Sequence, residues 1–277
     1  MDGAKPSRTA QAVTAERSVL CDMGVLADPL ARTMLSPPMA AVCSTVRRLP
    51  YRMRSSSVTL AGLAARVLWF DAQVVTALGV GIGQIAVIGA GYDSRAWRFG
   101  RDGVHFFEAD HPATQRDKRR RAPSPGPTYV AVDLTIQSAA QALLDRGLDP
   151  AEPVLFVMEG VTMYLTQDVV RRQLVDLAEM STTGSRLAVD FLPPRQAGTA
   201  LHRRQNRLQR LARVGSGERF RLTVDRAQAV ELVGSSGWTV AEHTSLRDAA
   251  RAVVPPGYAL RVDAINAHKT LVAAAKP

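Results

Sequence analysis

The stretch Gln84–Phe99, QIAVIGAGYDSRAWRF, constrains this chain more than any other part of it. Ile85 to Ile88 form an unbroken apolar or small run that ends on Gly89-Ala90-Gly91. Such a run suits a strand buried on both faces, as in a parallel sheet. The glycines let the chain turn sharply and bring bare backbone close to a ligand. A helix beginning after them would aim its free N–H groups at whatever lies over the turn. The pattern therefore predicts a nucleotide-type binding loop with its ligand still open.

Downstream, strands are expected at 84–88, 105–109, 129–132, 154–158 and 186–191, with helices at 112–121, 136–146 and 167–180 between them. That alternation predicts a doubly wound α/β fold with a mostly parallel sheet. A helix at 225–236 and two late strands, 239–243 and 270–274, suit a sheet finished by an antiparallel hairpin. Before the first strand, Thr9–Met23 and a stretch from about Val58 to Leu78 have helical spacing, the latter capped within Ser55–Ser57. Asp28-Pro29 reads as a turn or helix start, and Ser36-Pro37-Pro38 as a break. Residues 1–80 are thus expected as a helical N-terminal cap or partner-binding surface, and 81–277 as the α/β domain. Gly198–Val214 reads as a strongly basic helix, inside a lid-like insertion at about 193–222.

With 277 residues, 46% of them hydrophobic, the chain can bury one large α/β core. Its net charge of +10 invites a nucleic-acid reading. The arginines are spread along the chain, however, without RNA-binding aromatics or zinc-finger spacing, so no nucleic-acid partner is expected. Cys21 and Cys43 lack CxxC spacing and metal-ligand company, which fits free thiols in a reducing compartment and no metal. The first residues contain no apolar signal core, and no apolar run reads as a membrane span. The expectation is a cytoplasmic protein without a membrane partner, and a homodimer is allowed.

Acidic residues recur at the carboxyl ends of the expected strands: Asp110, Asp133, Glu159 and Asp190. Ligands of open α/β sheets bind outside these ends. Asp110 follows Gly89 by about the 20 residues expected of an acid that binds ribose hydroxyls. A dinucleotide loop would place a third glycine at position 94, which is Ser94. Asp93 and Glu159 would also set negative charge beside a pyrophosphate. A nucleoside cofactor with a cationic centre and no phosphate fits better, and S-adenosylmethionine is such a molecule. A helix-borne arginine would suit its carboxylate.

VIGAGYDSRAWRF, FFEADHP, VAVDL and EGVTMYLT, taken in order, resemble the leucine carboxyl methyltransferase family. Its bacterial branch includes S-adenosylmethionine-dependent and polyketide carboxyl methyltransferases. AARVLWFD, ending at Asp71, is similar to the family's helix before the glycine loop. The match covers roughly 9–191. It implies a class I methyltransferase fold, Rossmann-like, with an antiparallel C-terminal strand. It also implies that Gly89 and Gly91 lie under the cofactor, Asp110 holds the ribose, and Asp133 and Leu134 contact the adenine. Arg66 would bind the methionyl carboxylate, Glu159 would sit beside the amino group, and Tyr164 would line the donor pocket. Arg17 is the best match to a basic residue of the family's first helix. Tyr92 stands where the family often has leucine.

The implied reaction is O-methylation of a small-molecule carboxylic acid, of a polyketide or other secondary-metabolite type. A carboxylate is ionised at neutral pH, so no general base is expected. Asp93 and Arg95 are expected to hold the glycine loop, and His111 to cap a helix. Two other readings stay open: an S-adenosylmethionine-binding regulatory protein without catalysis, and an NAD(P) oxidoreductase.

Overall fold

The computed structural model describes residues 5–194 and 219–277. The expected basic helix at 198–214 lies outside the described residues.

Among the described residues, seven strands form one sheet: β1 Gln84–Ile88, β2 His105–Asp110, β3 Thr128–Ala131, β4 Val154–Met158, β5 Arg186–Phe191, β6 Thr239–Ser245 and β7 Thr270–Ala275. Their spatial order is β3-β2-β1-β4-β5-β7-β6. The first five pair in parallel, and β7 runs antiparallel to both neighbours. The sheet finishes in the expected antiparallel pair, β6 with β7, joined by a long connection rather than a tight turn. Some two dozen residues separate β6 from β7, and β7 enters between β5 and β6 rather than folding back at the edge. That position gives the nearly all-apolar β7 strand, TLVAAA, a partner on both sides.

All five β1 residues are buried. Ala86 and Ile88 join one core, with Phe156, Leu174 and Trp238. Ile85 and Val87 face the opposite core, with Phe70, Leu155 and Leu271. This two-sided burial is why the run lacks the polar alternation of a one-faced strand.

Five helices precede β1: α1 Arg8–Asp22, α2 Leu30–Thr33, α3 Pro37–Arg47, α4 Tyr51–Ser55 and α5 Val58–Gly79. Ser57 caps α5 by accepting the Leu60 N–H. The Ser36-Pro37-Pro38 break also opens α3, where proline's missing N–H costs no hydrogen bond. By length and composition α5 could cross a membrane, contrary to the expectation that no stretch would pass that test. Its apolar positions are largely used inside the fold. Ala61, Trp69, Phe70 and Val74 pack against the sheet core, and Leu60, Leu63 and Val67 pack against α1 and α3.

After β1 come α6 Arg95–Arg98, α7 Pro112–Arg119, α8 Ala139–Leu144, α9 Gln167–Met180, α10 Arg226–Gly234 and α11 Leu246–Val253. The helix behind the glycine turn is thus a single turn, much shorter than a dinucleotide loop requires. Helix α8 is shorter than its pattern at both ends, and Ile136 before it is exposed.

Candidate active site

The strand ends assemble one rim. Along it lie Asp133 after β3, Asp110 ending β2, the Gly89–Gly91 turn after β1, Glu159 after β4, Asp190 in β5 and Lys269 before β7. A cavity of about 1060 Å³ follows this rim under α1 and the first turns of α5. Arg17, Arg66, Gly89, Gly91, Asp110, Asp133, Leu134, Glu159 and Tyr164 all line it. Chain topology therefore gathers these candidates around one space, while Asp190, the fourth acid of the rim, lies buried behind it.

At the turn, Gly89 has φ +68° and Gly91 φ +54°, a region side chains disfavour. A Cβ on Gly89 would run into the Val161 side chain, and one on Gly91 would come within 3.1 Å of Ala10 Cβ in α1. Asp110 ties the turn down by accepting the N–H groups of Gly91 and His111, the latter at 2.5 Å. Burial pushes the Asp110 carboxyl above its ordinary value, and the two N–H groups only partly offset this. Asp133 Oδ1 accepts from the Thr135 amide and hydroxyl at 3.0 and 2.6 Å. Leu134 is buried beside it, and its carbonyl accepts from Gln173 Nε2 at 3.0 Å.

Gly89→Ala tests how tightly this turn is packed. We expect a loss of about 1–3 kcal/mol from the strained backbone and the clash with Val161. In Gly89→Ala/Val161→Ala the clash share should be recovered and the backbone share should remain, as urea unfolding would read. Equal stability of Gly89→Ala and wild type would contradict this packing.

Beyond the turn lies a buried charge network. Arg66 Nε donates to Glu159 Oε1 at 2.9 Å, and Arg95 Nη2 donates to Glu159 Oε2 at 2.7 Å. Arg95 also holds Asp93 at 2.5 Å and Asp71 at 2.8 Å, and Arg98 holds Asp71 at 2.6 Å. Six charges thus balance as three cations and three anions. Burial pushes the Glu159 carboxyl up, but Arg95 and Arg66 outweigh it and hold the group below its ordinary value. Asp93 is likewise pushed up by burial and pulled well down by Arg95, Arg17, Lys118 and Arg98. The two residues read as holders of the glycine loop indeed pair with each other. His111 caps α7, its Nδ1 accepting the Ala113 N–H at 3.3 Å.

Arg17 reaches the cavity wall, but its guanidinium is spent inside the protein. It pairs with Asp28 and donates to the Tyr92 carbonyl at 2.9 Å and Ser94 Oγ at 2.7 Å. Here it fastens α1 to the turn. Ser94, where a dinucleotide loop has glycine, is fully buried in this contact and donates to Asp28 at 2.8 Å.

Tyr164 sits in a one-turn 3₁₀ segment, Thr162–Tyr164, its ring 5.6 Å from Phe220 and inclined at 52°. Sequence reasoning missed Phe220, Val161 and Lys269 as cavity residues. A hydrophobic residue directly after the Glu159-Gly160 strand end was the available signal for Val161. Lys269 had none, being a single lysine in an otherwise unremarked C-terminal stretch.

A family model described as leucine carboxyl methyltransferase matches residues 8–178. A protein of Mycolicibacterium gilvum, named as a candidate S-adenosyl-L-methionine-dependent methyltransferase, is 35% identical over 143 residues, 49% of this chain and 46% of that one. A Mycobacterium marinum protein with the same description is 28% identical over 232 residues, 79% of this chain and 76% of that one. The first relatives are therefore matched over slightly less than half their own length. Among solved structures, a candidate methyltransferase from Thermobifida fusca superposes with a TM-score of 0.62 at 16% identity, covering 99% of this chain and 96% of that one. That likeness concerns the fold.

Proposed function

Since this chain belongs to the leucine carboxyl methyltransferase family, whose cofactor is S-adenosylmethionine, we propose that it methylates the carboxylate of a small-molecule acid to give a methyl ester. A polyketide-like or other secondary-metabolite acid is the acceptor class in this reading.

The observation that carries the reading is the Arg66–Glu159 pair at the cavity wall, next to a turn that only glycine fits. A buried cation and anion side by side are complementary to an amino-acid zwitterion. Its carboxylate can approach the terminal nitrogens of Arg66, and its ammonium can approach Glu159, without leaving an unbalanced buried charge. Each Glu159 oxygen takes one arginine N–H from the protein and keeps a second lone pair. Asp110 can accept from ribose hydroxyls in the same way, and Asp133 and Leu134 flank the space for an adenine. The side chains present therefore suit S-adenosylmethionine. The one-turn α6, by contrast, offers a pyrophosphate no extended helix N-terminus.

When bound, S-adenosylmethionine supplies an electrophilic methyl group on a sulfonium. The protein's share is to hold the acceptor oxygen in line and exclude water, with α1 and Tyr164 closing the space. A carboxylate acceptor asks no residue to take a proton.

Calorimetry with S-adenosylhomocysteine and 5′-methylthioadenosine tests the nucleoside half. Asp110→Asn should weaken both by about tenfold, since both carry the ribose. Unchanged affinity for both would remove Asp110 from the site. Incubation of wild type with labelled S-adenosylmethionine and a panel of acids, phenols and amines should label base-labile esters. Transfer confined to phenols or amines would overturn the carboxyl assignment.

A further inference from the structure

The cavity continues along the rim past Glu159, over the ends of β5 and β7. Apolar residues that line the cavity next to the ends of β5 and β7 are Leu192, Leu246 and Ile265, and Asn266, Arg219 and Arg221 line it as well. One buried ion pair lies at its floor. Lys269 Nζ stands 2.5 Å from Asp190 Oδ2, with side-chain exposures of 10% and 0%. Only the lysine opens to the cavity. Asp190 cannot readily turn away, because its Oδ1 accepts the Gly160 N–H at 2.7 Å and its carbonyl accepts from Thr162 Oγ1 at 2.6 Å. At this distance the ammonium is committed to Asp190 Oδ2 through one N–H, a short charge-assisted contact inside the protein. A lysine ammonium has three N–H donors, so two remain for the cavity.

We propose that Lys269 anchors the carboxylate of the methyl acceptor, and that the acceptor is an acid with an apolar body. This deepens the functional reading above and rests on it. Arg66 and Glu159 serve the methionyl end of the cofactor in that reading, and Lys269, farther along the rim over β5 and β7, is the buried cation placed for a second anion, with Arg219 and Arg221 also lining the cavity. The apolar walls take the remainder of the acceptor, and Asp190 fixes the ammonium next to the rim. A neutral acceptor would leave Lys269 half-desolvated without a new partner, so the site selects acids over their amides or esters.

The test uses octanoate, 4-phenylbutyrate and 2-naphthoate, each against its primary amide, titrated calorimetrically into the full chain without nucleoside. Wild type should bind at least one acid tenfold or more tighter than its amide. Lys269→Met should bring that acid to the level of its amide, leaving amide and S-adenosylhomocysteine affinities unchanged. Lys269→Arg should keep part of the preference. Lys269→Met strands a buried Asp190, so Lys269→Met/Asp190→Asn is measured beside it; asparagine can still accept the Gly160 N–H. The proposal is overturned if no acid is preferred by wild type, if the preference survives in the double variant, or if that variant does not fold. Failure of S-adenosylhomocysteine to bind wild type would count against the cofactor reading, whereas the acid–amide difference decides Lys269 by itself.

Discussion

Arg95→Met should cost about 3–5 kcal/mol of stability, because it leaves buried carboxylates without their shared cation. Arg95 is 2% exposed and contacts Asp71, Asp93 and Glu159 at once. Methionine fills much of the volume but supplies no donor. Against a total of about 5–15 kcal/mol for a typical domain, this is the largest single-residue loss expected here. Urea unfolding at pH 7 reads it directly, and a loss below about 1 kcal/mol would show that the network is not held by Arg95.

The pH dependence of the same variant provides a second reading. In wild type, Asp93 and Glu159 titrate below their ordinary values. Their stabilisation is complete above the unfolded carboxylate range, near pH 4, and is lost as pH falls through the lowered folded values. Without Arg95, burial becomes the dominant influence, and carboxyl pKa values rise above those of the unfolded chain. The variant should then gain stability relative to wild type as pH is lowered from 7 toward 5. A constant difference between the two proteins over that interval would contradict the assignment.

Arg66→Met should weaken S-adenosylhomocysteine binding by roughly a hundredfold, the scale of a lost charge-assisted contact in a buried site. The same substitution should leave 5′-methylthioadenosine affinity within about twofold, because that molecule lacks the amino-acid portion. This contrast separates a lost carboxylate contact from general damage to the cavity. Equal loss for both ligands would mean that Arg66 acts by shaping the site, through its bond to Glu159. No loss for either would place the methionyl end elsewhere.

The sheet was legible because each parallel strand declares itself locally. Strands β1, β4 and β5 have the bounds expected of them, since an apolar run ending at a turn or an acid is a short-range signal. The terminal strands were recognised individually and as an antiparallel pair, yet their order in the sheet was not. Whether β7 returns at the edge or enters between β5 and β6 depends on pairing across the whole sheet, which no local pattern encodes. The long helix α5 misled in another way. Its composition meets a spanning test because it is buried from two sides, by the sheet and by α1 and α3.

The site shows the same division. Gly89, Gly91, Asp110, Asp133 and Glu159 could be picked out because a strand end fixes where its last residues point, and one rim collects them. Arg17 was selected through the family resemblance of the first helix, and its engagement with Asp28, Tyr92 and Ser94 depends on contacts 11 to 77 residues away in sequence. By itself, the sequence determined the alternation of strands and helices, the glycine turn and the acids around it, since these depend on backbone freedom and burial within a few residues. Tertiary structure alone decided that Arg95 binds three carboxylates, that α1 closes over the turn, and that Lys269 stands with Asp190 at the far end of the cavity. Charges from distant segments must be paired wherever burial removes them from water, and only the completed fold determines which of them meet.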